Sequence, residues 1–284
     1  MRHMALEIAF VANNSSNTIP TIASDDGVNW SGNTATPLQA GSGGGISTAT
    51  FGNYVALSFG EGSARQVVLS PSPGIWSTET SFDNAVFGAL CYFSNRLFLI
   101  SSALTGESPL LYVCSSADGT GWTLRQPLAR RTSCQPALAV FNGALFMAFA
   151  DENGKFMITS TTDGTNWSDS LQLNESTKFS PALAVHNGEL CVVFVAANAS
   201  GNILVCRSSD GRFWTGNQAI GETTNGPPSA ISYSGRLYVS FIAKNPTNTL
   251  LVCSSPDAQN WSGNINTHQS TQPNFDTNKL YVRP

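Results

Sequence analysis

Ser24-Asp25-Asp26-Gly27-Val28-Asn29-Trp30 is a stretch that returns along the whole chain. Residues 116–122 and 208–214 repeat its pattern, Ser-x-Asp-Gly-x-x-Trp. Residues 161–167 have Thr for Ser, and residues 255–261 have Ala258 for Gly. Residues 70–76 are degenerate, with Ser72 for Asp and Pro73 for Gly. Trp30, Trp76, Trp122, Trp167, Trp214 and Trp261 are all the tryptophans of the protein, and successive ones lie 46, 46, 45, 47 and 47 residues apart. A fixed period of this length marks an array of one repeated supersecondary unit.

Upstream of each turn a second pattern recurs. Residues 136–149 read as strand, Asn142-Gly143 turn, strand. Asn-Gly between apolar runs specifies a tight hairpin, because both turn residues need positive φ. Residues 181–194 and 228–241 restate it with Asn187-Gly188 and Ser234-Gly235, and residues 88–100 are a looser copy with Ser94-Asn95. A third strand leads into the Asp turn and a fourth carries the Trp onward. Four short antiparallel strands in a unit of 40–50 residues are the signature of a propeller blade. The expected fold is all-β, a six-bladed β-propeller, one domain over residues 4–284. The first unit lacks its first strand. The segment 273–282 is expected to supply it and to close the ring.

Composition agrees. Charged residues are 11% of the chain, below the roughly 25% usual for soluble domains. Hydrophobic residues are 41% and aromatics 10%, enough for a large core and incompatible with disorder. The formal net charge of −4 excludes the basic footprint of a nucleic-acid binder. No apolar run approaches the roughly 18 residues of a membrane-spanning helix. Residues 1–3 read as a cloning remnant. Residues 5–12 are apolar but short and contain Glu7, so they read as a strand rather than a signal peptide. Synthesis in the cytoplasm is expected, with release by a route other than a signal peptide left open.

Cys114, Cys206 and Cys253 occupy one repeated apolar position before a Ser-rich turn, so free core thiols are expected there. No Cys pair has CxxC spacing and no His pair has HxH or HExxH spacing, so neither metal nor other cofactor is expected.

The Ser-x-Asp-Gly-x-x-Trp turn resembles the Asp-box, or bacterial neuraminidase repeat, and the resemblance spans the chain. It implies a structural role for Asp26, Asp118, Asp163, Asp210 and Asp257. The Asp and Ser/Thr side chains satisfy turn N–H groups, Gly permits positive φ and Trp packs between sheets. It also implies a turn face opposite the usual ligand side. Propellers with this box include sialidases, other glycan-processing enzymes and sugar-binding proteins.

A sialidase needs three arginines converging on the substrate carboxylate. Its first arginine lies in a Phe/Tyr-Arg-Ile-Pro motif, and Thr18-Ile19-Pro20 has no such arginine. No triad can be assembled from the remainder, so the sequence favours a binder over an enzyme. The expected function is a multivalent propeller lectin with glycans or glycoconjugates as partners. A sialidase-like glycoside hydrolase and an interaction scaffold without a sugar ligand are the alternatives. Candidate contacts come from loops of the face away from the turns: Glu107, Arg130, Asp151, Glu152, Glu175, Asn198, Glu222, Lys244 and His268. Their polarity suits hydroxyl recognition.

Overall fold

A computed structural model describes residues 4–41, 45–77, 79–103, 109–272 and 276–284. The described residues form six four-stranded antiparallel sheets. Blade four shows the plan: Ala137–Phe141, Ala144–Ala150, Lys155–Thr161 and Leu171–Ser176 run in order from the innermost to the outer strand. The hairpins turn as expected. Asn142 and Gly143 have φ of 48° and 77°, Asn187 and Gly188 49° and 75°, and Ser234 and Gly235 46° and 74°.

The ring closes at blade one. Ala5–Phe10 is its second strand, followed by Thr21–Ser24 and Ser31–Thr34. The innermost strand is Asn278–Arg283, which pairs antiparallel with Ala5–Phe10 from Ala5 against Arg283 to Phe10 against Asn278. Within the expected closing segment, residues 273–275 lie outside the described residues. The innermost strands then contact one another in a circle: Asn278–Arg283, Ile46–Phe51, Gly88–Phe93, Ala137–Phe141, Ala182–His186, Ser229–Tyr233 and back.

The core is divided among the blade junctions. Six buried clusters occur, each shared by two adjacent blades. This explains the strand patterns. A second strand such as Glu189–Val195 is covered by a blade on each side, so it is buried nearly throughout and reads as a continuous apolar run. Outer strands such as Gln218–Thr223 are largely exposed. Each tryptophan inserts into the junction with the preceding blade: Trp214 against blade four, Trp261 against blade five, Trp30 against blade six.

The turn glycines face the same junctions. Gly164 and Gly211 have φ of 80° and 78°, and a Cβ on them would lie 2.4 and 2.3 Å from the rings of Phe98 and Phe146 in the preceding blades. Ala258 takes the glycine's place in blade six at φ 57°. The preceding blade there carries Cys191 at the position of those rings, in the same cluster as Ala258. The smaller Cys191 leaves room for the methyl. The structure leaves all six thiols unpaired, with Cys114, Cys191, Cys206 and Cys253 buried. Burial pushes Cys114 and Cys206 up to about 12, so these thiols remain protonated.

The closing strand is locked by buried polar groups. Arg283 Nε donates to Glu7 Oε1 at 2.7 Å, Arg283 Nη1 donates to Ser70 Oγ of blade two at 3.1 Å, and the Tyr281 hydroxyl donates to Glu7 Oε2. Burial and the Glu7 charge raise the Tyr281 pKa well above its ordinary value. Tyr281 is therefore a neutral donor to the Glu7 carboxylate.

Two stability outcomes follow. Gly211→Ala adds a strained left-handed backbone to an overpacked junction and should cost about 2–4 kcal/mol in urea denaturation. Ala258→Gly should cost about 1 kcal/mol or less; equal losses would contradict the junction account. Glu7→Ala leaves Arg283 buried without its carboxylate and should cost about 3–5 kcal/mol. The double variant Glu7→Ala/Arg283→Met should recover part of that loss, and a loss simply additive in the two changes would argue against a coupled pair.

Candidate functional site

The turn is a rigid hydrogen-bonded unit. In five turns the Ser or Thr hydroxyl donates to Asp Oδ1 at 3.0–3.1 Å. That oxygen also accepts the N–H groups of the two residues before the Trp, at 2.7–2.9 Å. These backbone donors hold the carboxyls of Asp26, Asp118, Asp163, Asp210 and Asp257 below the usual carboxylate range.

The turns fall into two kinds, set by the residue before the Trp. Asn29, Asn166 and Asn260 each donate a side-chain N–H to Asp Oδ2 at 2.7 Å. Gly121 and Phe213 stand at that position in blades three and five, so Asp118 and Asp210 lack this amide on Oδ2. In those two turns the indole instead donates to the turn glycine, Trp122 to Gly119 O at 3.1 Å and Trp214 to Gly211 O at 3.2 Å.

Besides a hollow of about 400 Å³ at the blade-one turn, lined by Asp26, Asn29 and Trp30 among others, two clefts open between blades on this turn face among the described residues. One, of about 570 Å³, lies between blades two and three and is lined by Tyr54, Leu69, Ile75, Trp76, Asp118 and Thr120 among others. The other, of about 680 Å³, lies between blades four and five, with Phe141, Leu171, Asp210, Arg212 and Phe213 in its walls.

The residues expected to contact ligand take other places. Glu107 lies outside the described residues. Arg130, Glu175, Glu222 and His268 sit in outer strands rather than in the connecting loops. A bulge in each of these strands shifts the register and carries the strand further than its sequence suggests. Three of the four clasp the next blade. Arg130 Nε donates to Ser170 Oγ at 3.0 Å and Arg130 Nη2 to Ser168 O at 2.6 Å. Asn217 Nδ2 donates to Glu175 Oε1 at 2.6 Å, and Asn264 Nδ2 to Glu222 Oε2 at 3.0 Å. Ser170, Asn217 and Asn264 each lie three residues after their blade's Trp. Asn33, likewise three after Trp30, donates to Gln269 Oε1 at 3.0 Å, a clasp the sequence reading missed beside His268. His268 has φ 59° at the bulge and an exposed side chain.

Asp151, Asn198 and Lys244 are on the loops between second and third strands, with Glu152 exposed beside Asp151. Asp151 Oδ1 accepts the N–H groups of Asn153 and Lys155, both at 2.8 Å. Asn198 Oδ1 accepts the Ser200 N–H at 2.9 Å, and Lys244 Nζ donates to Ser200 O at 3.3 Å across two blades. The structure therefore spreads the predicted set around the ring instead of gathering it at one point.

A polar hub, also missed, joins the starts of the innermost strands. Arg65, fully buried, donates to Gly45 O at 2.8 Å, Val86 O at 3.1 Å and Gln135 Oε1 at 3.3 Å. Gln135 N donates to Ser180 Oγ at 3.0 Å, and Ser180 Oγ to Asp276 Oδ2 at 2.5 Å. Burial lowers the Arg65 pKa to about 10, opposed by the Asp276 charge, so the guanidinium stays ionised at neutral pH. A Cβ on Gly88 would lie 2.4 Å from Arg65 Cδ, which explains glycine there. This guanidinium is committed to the protein's own carbonyls and cannot clamp a substrate carboxylate from solvent.

No family model and no curated protein matches the chain. Solved structures of similar fold were found. A mutant of the lectin of Aleuria aurantia, in complex with alpha-methyl-L-fucoside, aligns with TM-score 0.67 at 11% identity, covering 94% of this chain and 96% of that one. The sialidase of Trypanosoma rangeli, with the inhibitor DANA, aligns with TM-score 0.62 at 14% identity, covering 89% of this chain and 53% of that one. An endo-arabinanase from Bacillus licheniformis gives TM-score 0.53 at 14% identity over 75% of this chain and 94% of that one. At these identities the likeness is one of fold.

The turn carboxylates predict acid lability. Their folded pKa lies below the unfolded value of about 3.9, so the unfolded state binds more protons as pH falls. Their stabilisation is present above that value and is lost progressively below it. Thermal midpoints measured from pH 7 to pH 2.5 should begin to drop below about pH 4. Asp163→Ala should reduce the size of that drop; an undiminished drop in this variant would exclude the turn from the effect.

Proposed function

We propose that the protein is a non-catalytic, multivalent carbohydrate-binding propeller, and that its Trp turns are Asp-boxes. The observation that carries this reading is the near-identity of the six junctions. Each has one core cluster, and each receives the tryptophan of the following blade against it. A surface repeated around a ring suits many weak sites acting together. The propeller fold shared with a fucoside-complexed lectin supports the reading. The commitment of Arg65, Arg130 and Arg283 to internal partners weighs against the arginine clamp of a sialidase. On the face away from the turns, the reading assigns sugar contacts to Asp151, Glu152, Asn198 and Lys244, and at the rim to Glu175, Glu222 and His268, while Arg130 stays with its clasp on the next blade.

A printed glycan array, followed by titration with methyl α-L-fucoside and the best-bound glycans, tests the reading. Saturable binding is expected, with avidity for multivalent displays exceeding the monosaccharide affinity by about 10²–10⁴-fold. No glycan bound at high protein concentration, or turnover of a fluorogenic sialoside, would overturn it.

A further inference from the structure

We infer that the two inter-blade clefts on the turn face are saccharide sites, in which Asp118 and Asp210 accept hydroxyl hydrogen bonds from a neutral pyranose. The inference rests on the carbohydrate reading and deepens it by placing sites on the face that the Asp-box resemblance leaves to structure alone.

The second carboxylate oxygen distinguishes the turns. In blades one, four and six an asparagine amide occupies Oδ2 at 2.7 Å. In blades three and five that asparagine is replaced by Gly121 and Phe213. All hydrogen bonds from the turn to Asp210 then fall on Oδ1, at 2.8–3.1 Å. Asp118 Oδ1 likewise takes Ser116, Thr120 and Gly121 at 2.8–3.0 Å, and the Thr120 hydroxyl also hydrogen-bonds the carboxylate, which still leaves lone-pair capacity on Oδ2 for a further donor. The oxygen relieved of its amide is an acceptor for an outside donor. Its carboxylate is already oriented by the turn, so binding needs little further ordering.

The same two aspartates line the inter-blade clefts. These volumes, about 570 and 680 Å³, suit small ligands. Opposite Asp118 are Tyr54, Trp76 and Ile75, and Ile75 is 59% exposed. Beside Asp210 is Phe213, 82% exposed, with Phe141 and Leu171 behind it. An aromatic or aliphatic wall facing a fixed acceptor matches a pyranose, whose C–H face is apolar and whose edge carries hydroxyl donors. A fully apolar ligand would leave the carboxylate desolvated without a donor, at considerable cost. At the Asp118 cleft an anionic sugar would meet carboxylate repulsion with no cation among the described lining residues, whereas Arg212 lines the Asp210 cleft together with Asp169 and Asp210, two carboxylates against one cation. A neutral sugar satisfies both walls.

Titration calorimetry with the array-selected neutral monosaccharide as its methyl glycoside, on wild type, Asp118→Asn, Asp210→Asn and Phe213→Ala, tests this. Asparagine keeps an oxygen for the turn N–H groups and turns the free position into a donor. Each Asp variant should lose one class of site, weakened about tenfold or more. Phe213→Ala, at an exposed position that folding does not need, should weaken the blade four–five site alone. Affinity and stoichiometry unchanged in all three variants, with wild type binding, would overturn this inference and leave the carbohydrate reading standing. Absence of binding by wild type on the array would overturn both.

Discussion

The structure depends on the packing of each tryptophan turn against the blade before it. A single four-stranded sheet has two apolar faces and cannot bury both alone. The Trp covers one neighbour's face, and in blades one, four and five the turn glycine brings the backbone onto a ring of that neighbour's second strand, Tyr238, Phe98 and Phe146. The Asp and Ser/Thr side chains hold the turn in the shape that makes this approach. Hydrophobic burial, at about 1.5–3 kcal/mol for each fully buried Leu, Ile or Phe, then acts at all six junctions. Solvent-exposed rim clasps such as Asn264 with Glu222 contribute much less and serve registration between neighbours.

A ring built from equal junctions must still close. Closure is the place where the repeat is broken and where charge is buried. Asn278–Arg283 brings Arg283 to Glu7, and Asp276 joins Ser180, Gln135 and Arg65 at the starts of the innermost strands. Removing one member of such a set exposes the others to an apolar interior, which makes the closing strand specific for its slot. These polar groups are linked to positions as distant in sequence as Arg283 and Ser70.

The blades were legible because Trp spacing and Asn-Gly hairpins are local signals that repeat. The closing strand was legible because blade one visibly lacked a partner. Arg65, Gln135, Ser180 and Asp276 were not, because each occupies a position unlike its counterparts in other blades. Arg65 did carry a weak signal, a lone charge in the apolar run Ala64–Ser70. Arg130, Glu175 and Glu222 read as loop residues because the outer-strand bulge interrupts the polar–apolar rhythm. The distinction between Asn29, Asn166 and Asn260 on one side and Gly121 and Phe213 on the other was present in the turn alignment. It has meaning only once the geometry shows that this residue faces Oδ2.

Under the proposed function, sugar is recognised at the surfaces between blades and not at the centre, where Arg65 and Gln135 are consumed by the hub. The most direct measurement is a crystal structure of the protein soaked with its best array-selected glycan. Sugar density is expected between adjacent blades, with density beside Asp118 and Asp210. Density confined to a single position on the ring axis, with every junction empty at saturating glycan, would contradict it.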